Sequence, residues 1–242
     1  MFLIVLFMAH FIADFTFQPA VLAQKKIDKS KYLAIHIIIY AVVFLIAIFP
    51  FVSFSRAVFP YLIIVGSHFL IDWIRKRADK RFNNKTFIFA SFIADQICHA
   101  LVLTIIYYAF NLGAETKLYG LIQQWPNLNN LIIYSLTFVI LWDPAAVFIK
   151  KLFTYISDGN SCEQEENDPP AGRIIGKLER IIISFLIFNN QFGTIGFVLT
   201  AKSIARYKQL EDKIFAERYL VGTLASALIS IITTIILKQY LQ

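Results

Sequence analysis

Residues 31–53 read KYLAIHIIIYAVVFLIAIFPFVS, and this stretch decides the class of fold. Between Lys31 and Pro50 it holds Tyr32, His36 and Tyr40 and is otherwise aliphatic or Phe. A helix rising about 1.5 Å per residue needs about 20 such residues to cross roughly 30 Å of hydrocarbon. Comparable blocks follow at 57–76, 86–112 and 129–151, each bounded by Lys, Arg, Pro or Asn. Another opens the chain, MFLIVLFMAHFIADF (1–15). This one lacks the basic leading segment of a signal peptide and carries His10 and Asp14 where a smooth apolar core belongs, so it is expected to be retained as a span. Of 242 residues, 58% are hydrophobic and only 16% charged, against about 45–50% apolar in soluble domains. With a mean hydropathy of +0.63, a soluble globule is excluded. The two cysteines, Cys98 and Cys162, form no C-x-x-C, so neither a disulfide framework nor a thiolate metal site is expected.

The basic residues orient the spans. The connection after the first block holds Lys25, Lys26, Lys29 and Lys31, and the one after 57–76 holds Arg75, Lys76, Arg77, Lys80, Arg81 and Lys85. The alternate connections show only Arg56 and Lys117. The positive-inside rule therefore puts the N-terminus outside a cytoplasmic (inner) membrane, and the net charge of +7 reports loops facing anionic lipid rather than nucleic-acid binding. Segment 154–172, acidic and ending in Pro169-Pro170, reads as a cytosolic loop. Beyond it, Asn189-Asn190-Gln191 and Gly193 break the apolar run 178–200, and Lys202, Arg206, Lys208, Lys213 and Arg218 follow. Two short helices, 178–188 and 193–206, forming a re-entrant hairpin keep those cations cytosolic; one continuous helix over 174–200 is the competing reading. A last span at 219–237 leaves Gln242 outside. The expected fold is thus an all-α polytopic transmembrane bundle of about six spans plus the hairpin, organised as 1–153, the loop 154–172, and 173–242.

All four histidines lie in the first 99 residues, and three have an aspartate four positions away: His10 with Asp14, His68 with Asp72, and Asp95 with His99. On an α-helix that spacing puts both side chains on one face. His36 lies one turn inside its span. Counting from the span ends, His10, His36, His68 and Asp95 lie about 8–13 Å from the same membrane edge, in one layer; His99 lies deepest. Each histidine taken singly is equally explained as interhelical glue. The aspartates shift the balance, because each costs about 2.5–3.5 kcal/mol at the bilayer centre and the nearby Lys and Arg sit at the helix ends. A divalent ion, zinc, manganese or iron, one or two in number, suits mixed imidazole and carboxylate donors. The candidate ligands are His10, Asp14, His68, Asp72, Asp95 and His99, with His36 a further ligand or the general base. Gln18 and Gln96 would orient ligands by hydrogen bonds. Lys25 and Lys76 would attract an anionic head group, unless they only snorkel. Cys98 points away from His99 and is expected in the packed core. Asp143 precedes Pro144, which should kink its helix.

A second polar group, Glu179, Arg180, Lys202, Arg206 and Glu217, falls at the helix ends near the hairpin, where ion pairs would lock the fold or the cations would hold a phosphate.

The motifs H-x-x-x-D-F-x-x-Q (10–18), L-x-x-H (33–36), H-F-L-I-D (68–72), D-Q-x-x-H (95–99) and G-F-x-x-x-A-K-S-I-x-R…E…G-T-L-x-S (196–226) resemble a bacterial family of multi-pass membrane proteins, the domain of unknown function 3307, over nearly the whole chain. The resemblance implies a soluble cytosolic SatD-like partner, whose gene often neighbours those of the family. A looser similarity is to predicted membrane-bound metal-dependent hydrolases. Together, the residues and the resemblance lead to a membrane metalloenzyme that hydrolyses a lipid-like substrate from the cytosolic leaflet. The rivals are a proton- or divalent-cation-coupled transporter and a non-catalytic membrane subunit for a cytosolic partner.

Overall fold

The structure, a computed structural model, describes residues 1–19, 22, 30–113, 120–121, 124–156 and 170–241. Lys25, Cys162 and positions 157–169 of the expected acidic loop lie outside the described residues. The described residues are helical with no strand. The helices are α1 (Phe2–Phe11), prolonged by a π-helical turn Ile12–Thr16, α2 (Ser30–Ile48), α3 (Phe54–Phe82), α4 (Lys85–Ala109), α5 (Leu128–Trp142), α6 (Pro144–Ile156), α7 (Pro170–Phe188), α8 (Phe192–Ala205) and α9 (Lys213–Lys238). A 3₁₀ turn at Tyr207–Glu211 precedes α9. Among the described residues, five segments are long and apolar enough to cross a membrane: α2, α3, α4, α5 with α6, and α9. Phe2–Thr16 and α8 are apolar but shorter. The chain is a membrane-type helical protein in two compact units, Met1–Ile132 and Ile133–Gln242.

In the first unit each helix buries one stripe at helical spacing. On α2 it is Leu33, His36, Tyr40, Phe44 and Ile48; on α3 Ala57, Pro60, Ile64, His68 and Asp72; on α4 Phe92, Asp95, His99, Leu103 and Ile106. The histidines and aspartates therefore continue the stripes whose Tyr40, Phe44, Ile48, Ala57, Ile64, Leu103 and Ile106 make the apolar core with Leu6 and Ala9 of α1 and Ala13 of the π-helical turn. The opposite faces expose Ile38, Leu45, Leu62, Leu70, Leu101 and Ile105, an apolar surface suited to lipid. Cys98 lies on that exposed surface, which corrects the expectation of core packing. The physical reason is its angular position, about 100° from the buried His99 on a helix that has only one buried stripe.

The second unit is bound by smaller side chains. Ile183 and Ile187 of α7, Ile195 of α8 and Ala227 of α9 form its core. Along α9 the buried face is Thr223, Ser226, Ala227, Ser230 and Thr234, small residues that allow close helix approach; Thr234 Oγ1 donates to Ser184 Oγ at 2.9 Å. The run around 178–200 is broken: α7 ends at Phe188, Asn190 takes φ 59°, and α8 starts at Phe192. Lys238 Nζ closes the end of α7, donating to Ile187 O at 2.6 Å and Asn190 Oδ1 at 2.7 Å. A single helix over 174–200 is thereby ruled out. The first helix of the pair is longer than expected, starting at Pro170, a residue pre-set for the first turn.

Candidate metal centre

In the first unit donor atoms of His68, Asp14 and Asp72 gather around His36 Nε2. Asp14 is carried by the π-helical turn, closed by Phe17 N–H donating to Ile12 O at 2.9 Å; such turns recur at functional sites. His36 comes from α2, and His68 and Asp72 from successive turns of α3. His36 Nε2 lies 3.0 Å from His68 Nε2, 3.2 Å from Asp14 Oδ1 and 3.4 Å from Asp72 Oδ2. His68 Nε2 lies 3.9 Å from Asp14 Oδ1 and 3.8 Å from Asp72 Oδ2. Both histidines are wholly buried, and Asp14 is the most exposed of the four at 9%.

These separations fit a metal ion. Bonds of about 2.0–2.1 Å in tetrahedral coordination set donor atoms about 3.3–3.4 Å apart, within the observed spread. Without a cation the arrangement is short of protons: each neutral imidazole has one N–H, and four acceptor-capable atoms converge. Asp14, His36 and His68 form one group able to hold an ion, and His68, Asp72 and His99 a second.

Of the remaining expected ligands, His99 belongs to the second group, while His10 and Asp95 belong to neither. His99 Nδ1 is 3.3 Å from His68 Nδ1, so the residue that depth arithmetic places furthest out is in direct contact with the cluster. His10 is held by Tyr40 OH at its Nδ1 and by Gln96 Oε1 at its Nε2, both at 3.3 Å. Asp95 Oδ2 receives Arg75 Nη1 at 2.9 Å. The expectation that basic residues stay at the helix ends is thus corrected for Arg75. Helical side chains lean towards the N-terminus, which carries the guanidinium inward to a point 5.4 Å from the centre of the Phe92 ring. Gln96 Nε2 donates to Asp14 Oδ2 at 3.0 Å and Asp95 Oδ2 at 3.1 Å. Gln18 and Lys76 are half-buried. Two residues escaped the sequence reading. Arg75 is one, and Tyr40, whose ring stacks on His68 at 3.6 Å and 7°, is the other. Tyr40 lies four positions after His36, a signal that it shares that face.

The stretch bearing this cluster, residues 2–129, matches DUF3307, a family described as proteins of unknown function. The chain belongs to that family. The DUF3307 match contains every converging residue but stops short of the 196–226 motif, so the resemblance is narrower than the nearly whole chain that the motifs suggest. No curated protein and no solved structure matches the chain.

In the second unit the other polar group divides by role. Lys202 Nζ donates to Glu179 Oε2, and to Thr223 Oγ1 at 3.1 Å. Arg180 donates through Nε to Leu141 O at 2.7 Å, through Nη2 to Trp142 O at 3.4 Å and through Nη1 to Ser226 Oγ at 3.3 Å. It satisfies carbonyls at the helix break where Pro144 supplies no N–H. Asp143, in that break, accepts from Lys177 Nζ at 2.5 Å. Arg206 lies 6.0 Å from the ring centres of Phe215 and Tyr219. Glu217 is exposed, with Lys213 at 4.0 Å. Apart from the Lys213–Glu217 pair, which lies within α9, these contacts tie separate segments of the unit together.

Proposed function

We propose that the protein is a membrane metalloprotein whose centre is Asp14, His36, His68 and Asp72, and that it acts as a metal-dependent hydrolase on a lipid-like or amphipathic substrate from the cytosolic leaflet. The observation that carries the metal reading is the convergence of two imidazole nitrogens and two carboxylate oxygens from three helical segments, 3.0–3.9 Å apart in every pair that includes a histidine. A divalent ion on such donors supplies Lewis-acid polarisation of an ester or phosphoester oxygen and activation of water. The chain's own residues orient and exclude. His36 and His68, wholly buried, keep bulk water from the far side of the cluster. Asp14, the most exposed member, marks the side from which a substrate would reach it, and Gln96 holds its second oxygen. Zinc, manganese and iron suit this donor set.

Metal analysis of protein purified without chelator tests the first step: about one equivalent of transition metal is expected, and less than about half an equivalent overturns it. Hydrolysis of ester and phosphoester lipids in mixed micelles, lost in Asp72→Asn, tests the second. One observation favours a second reading. Four protein donors resemble closed sites more than catalytic ones, which keep a position open. A divalent cation or proton would then be the transported substrate. Uptake into proteoliposomes abolished by Asp72→Asn, without lipid hydrolysis, would select that reading.

A further inference from the structure

His68 decides what its neighbours do. Its ring is clamped by Tyr40, and its two nitrogens look in different directions, Nε2 to His36 at 3.0 Å and Nδ1 to His99 Nδ1 at 3.3 Å. A neutral imidazole has one lone pair and one N–H. With the lone pair at Nε2 facing the converging donors, the proton sits on Nδ1 and is donated to His99 Nδ1. His99, accepting there, carries its own proton on Nε2. That atom is paired with Asp95 Oδ1 at 3.6 Å, longer than a hydrogen bond, and both atoms are buried without a hydrogen-bond partner, so the carboxylate acts on the imidazole N–H as a charge. Asp95 Oδ2 is held by Arg75 and Gln96. Every proton in this chain points away from the cluster, and it ends on a carboxylate neutralised by a guanidinium.

A second chain runs from Tyr40 through His10 to Gln96 and ends on Asp14 of the cluster as well as on Asp95. Gln96 gives its NH₂ to Asp14 and Asp95, so its Oε1 faces His10 and requires the proton on His10 Nε2. His10 Nδ1 then accepts from the Tyr40 hydroxyl, and no lone pair of His10 is left for a metal.

We propose that the centre takes one divalent ion, on Asp14, His36, His68 and Asp72, and that His99 and Asp95 are positioning residues that hold His68 in the tautomer presenting Nε2 to it. This rests on the metal reading above and deepens it by selecting between one ion and two. His68, Asp72 and His99 also lie close enough to hold an ion. A second ion between the facing Nδ1 atoms of His68 and His99, however, would demand lone pairs at both nitrogens of His68, an imidazolate, and would cut His68 off from Asp95. Outer partners of this kind are worth about 10–100-fold in metal affinity.

The test is titration of the full chain in lipid nanodiscs with Co²⁺ alone, reading stoichiometry, affinity by chelator competition, and the visible spectrum. Wild type is expected to bind one equivalent with the intense bands of tetrahedral Co²⁺. His99→Ala should still bind one, about 10–100-fold more weakly and with shifted bands, while His99→Gln, which restores an acceptor, regains most of the loss. Should His99→Ala fail to fold, Asp95→Asn gives a weakening in the same direction. Two equivalents in wild type falling to one in His99→Ala overturn the proposal. So does one equivalent whose affinity and spectrum no variant moves. Both outcomes leave the metal reading standing, whereas no Co²⁺ binding by wild type overturns that reading and this inference together.

Discussion

Tyr40 and His36 lie one turn apart on α2 and touch the same partner, His68, in different ways. Tyr40 covers the face of its ring at 3.6 Å, and His36 meets its Nε2 edge at 3.0 Å. Their replacements should separate. Tyr40→Phe keeps the stacked ring and deletes only the hydroxyl on His10, so metal retention after dialysis should fall at most about tenfold. His36→Ala removes a donor at the centre and should leave no transition metal after the same dialysis. Equal losses in the two variants would mean that His36 is not a ligand. His36 also differs from His68 in its support, because its Nδ1 is buried without a hydrogen-bond partner while that of His68 faces His99.

At the scale of elements, the break between α5 and α6 is held from α7 by two side chains, Lys177 on Asp143 and Arg180 on the backbone. Pro144 withdraws the N–H that would bond Ile140 O, and beside that break Arg180, buried on α7, donates to Leu141 O and Trp142 O. Arg180→Met keeps a long apolar stem but leaves those carbonyls without it, a cost of about 1–3 kcal/mol per buried group. Unfolding of the purified protein in detergent should show that loss, and metal content should not change, because the converging donors belong to the first unit. A wild-type unfolding midpoint in Arg180→Met would show that water serves the carbonyls equally well.

Two predictions concern the whole molecule. Removing a bound ion by chelation should lower thermal stability, since a ligand present at about 1,000 times its Kd adds about 4 kcal/mol to the folded state. Hydrogen exchange should locate the loosening in α2–α4 rather than α7–α9, and protection unchanged throughout would count against an ion in the native protein. The second is topological. Single cysteines at positions 158 and 213, in a background with Cys98 and Cys162 replaced by Ser, should both resist a membrane-impermeant reagent in intact cells. The warrant is that a full crossing by 178–206 would put Lys202, Arg206, Lys208, Lys213 and Arg218 outside, against about 1 kcal/mol per cation near an anionic leaflet. Labelling at 213 but not at 158 would mean that α7 and α8 together cross.

The apolar blocks, their length and the identity of the polar layer were legible in the sequence, because hydrocarbon thickness dictates helix length and a buried charge demands compensation wherever it stands. Helical spacing was enough to pair His68 with Asp72 and to put His36 on the inward stripe of its helix. Division of labour within the layer was not legible. Arg75 reaching Asp95, Gln96 bridging Asp14 and Asp95, and His10 committed to Tyr40 and Gln96 are contacts between helices, with partners up to 86 positions apart. Which nitrogen of an imidazole faces which neighbour depends on helix rotation and on a π-helical turn that no residue pattern announces. The stretch 178–200 shows the same boundary. Its Asn and Gly residues marked the break, while the length of α7 and its anchoring by Lys238 came from packing against α9, whose small hydroxyl side chains let the helices approach.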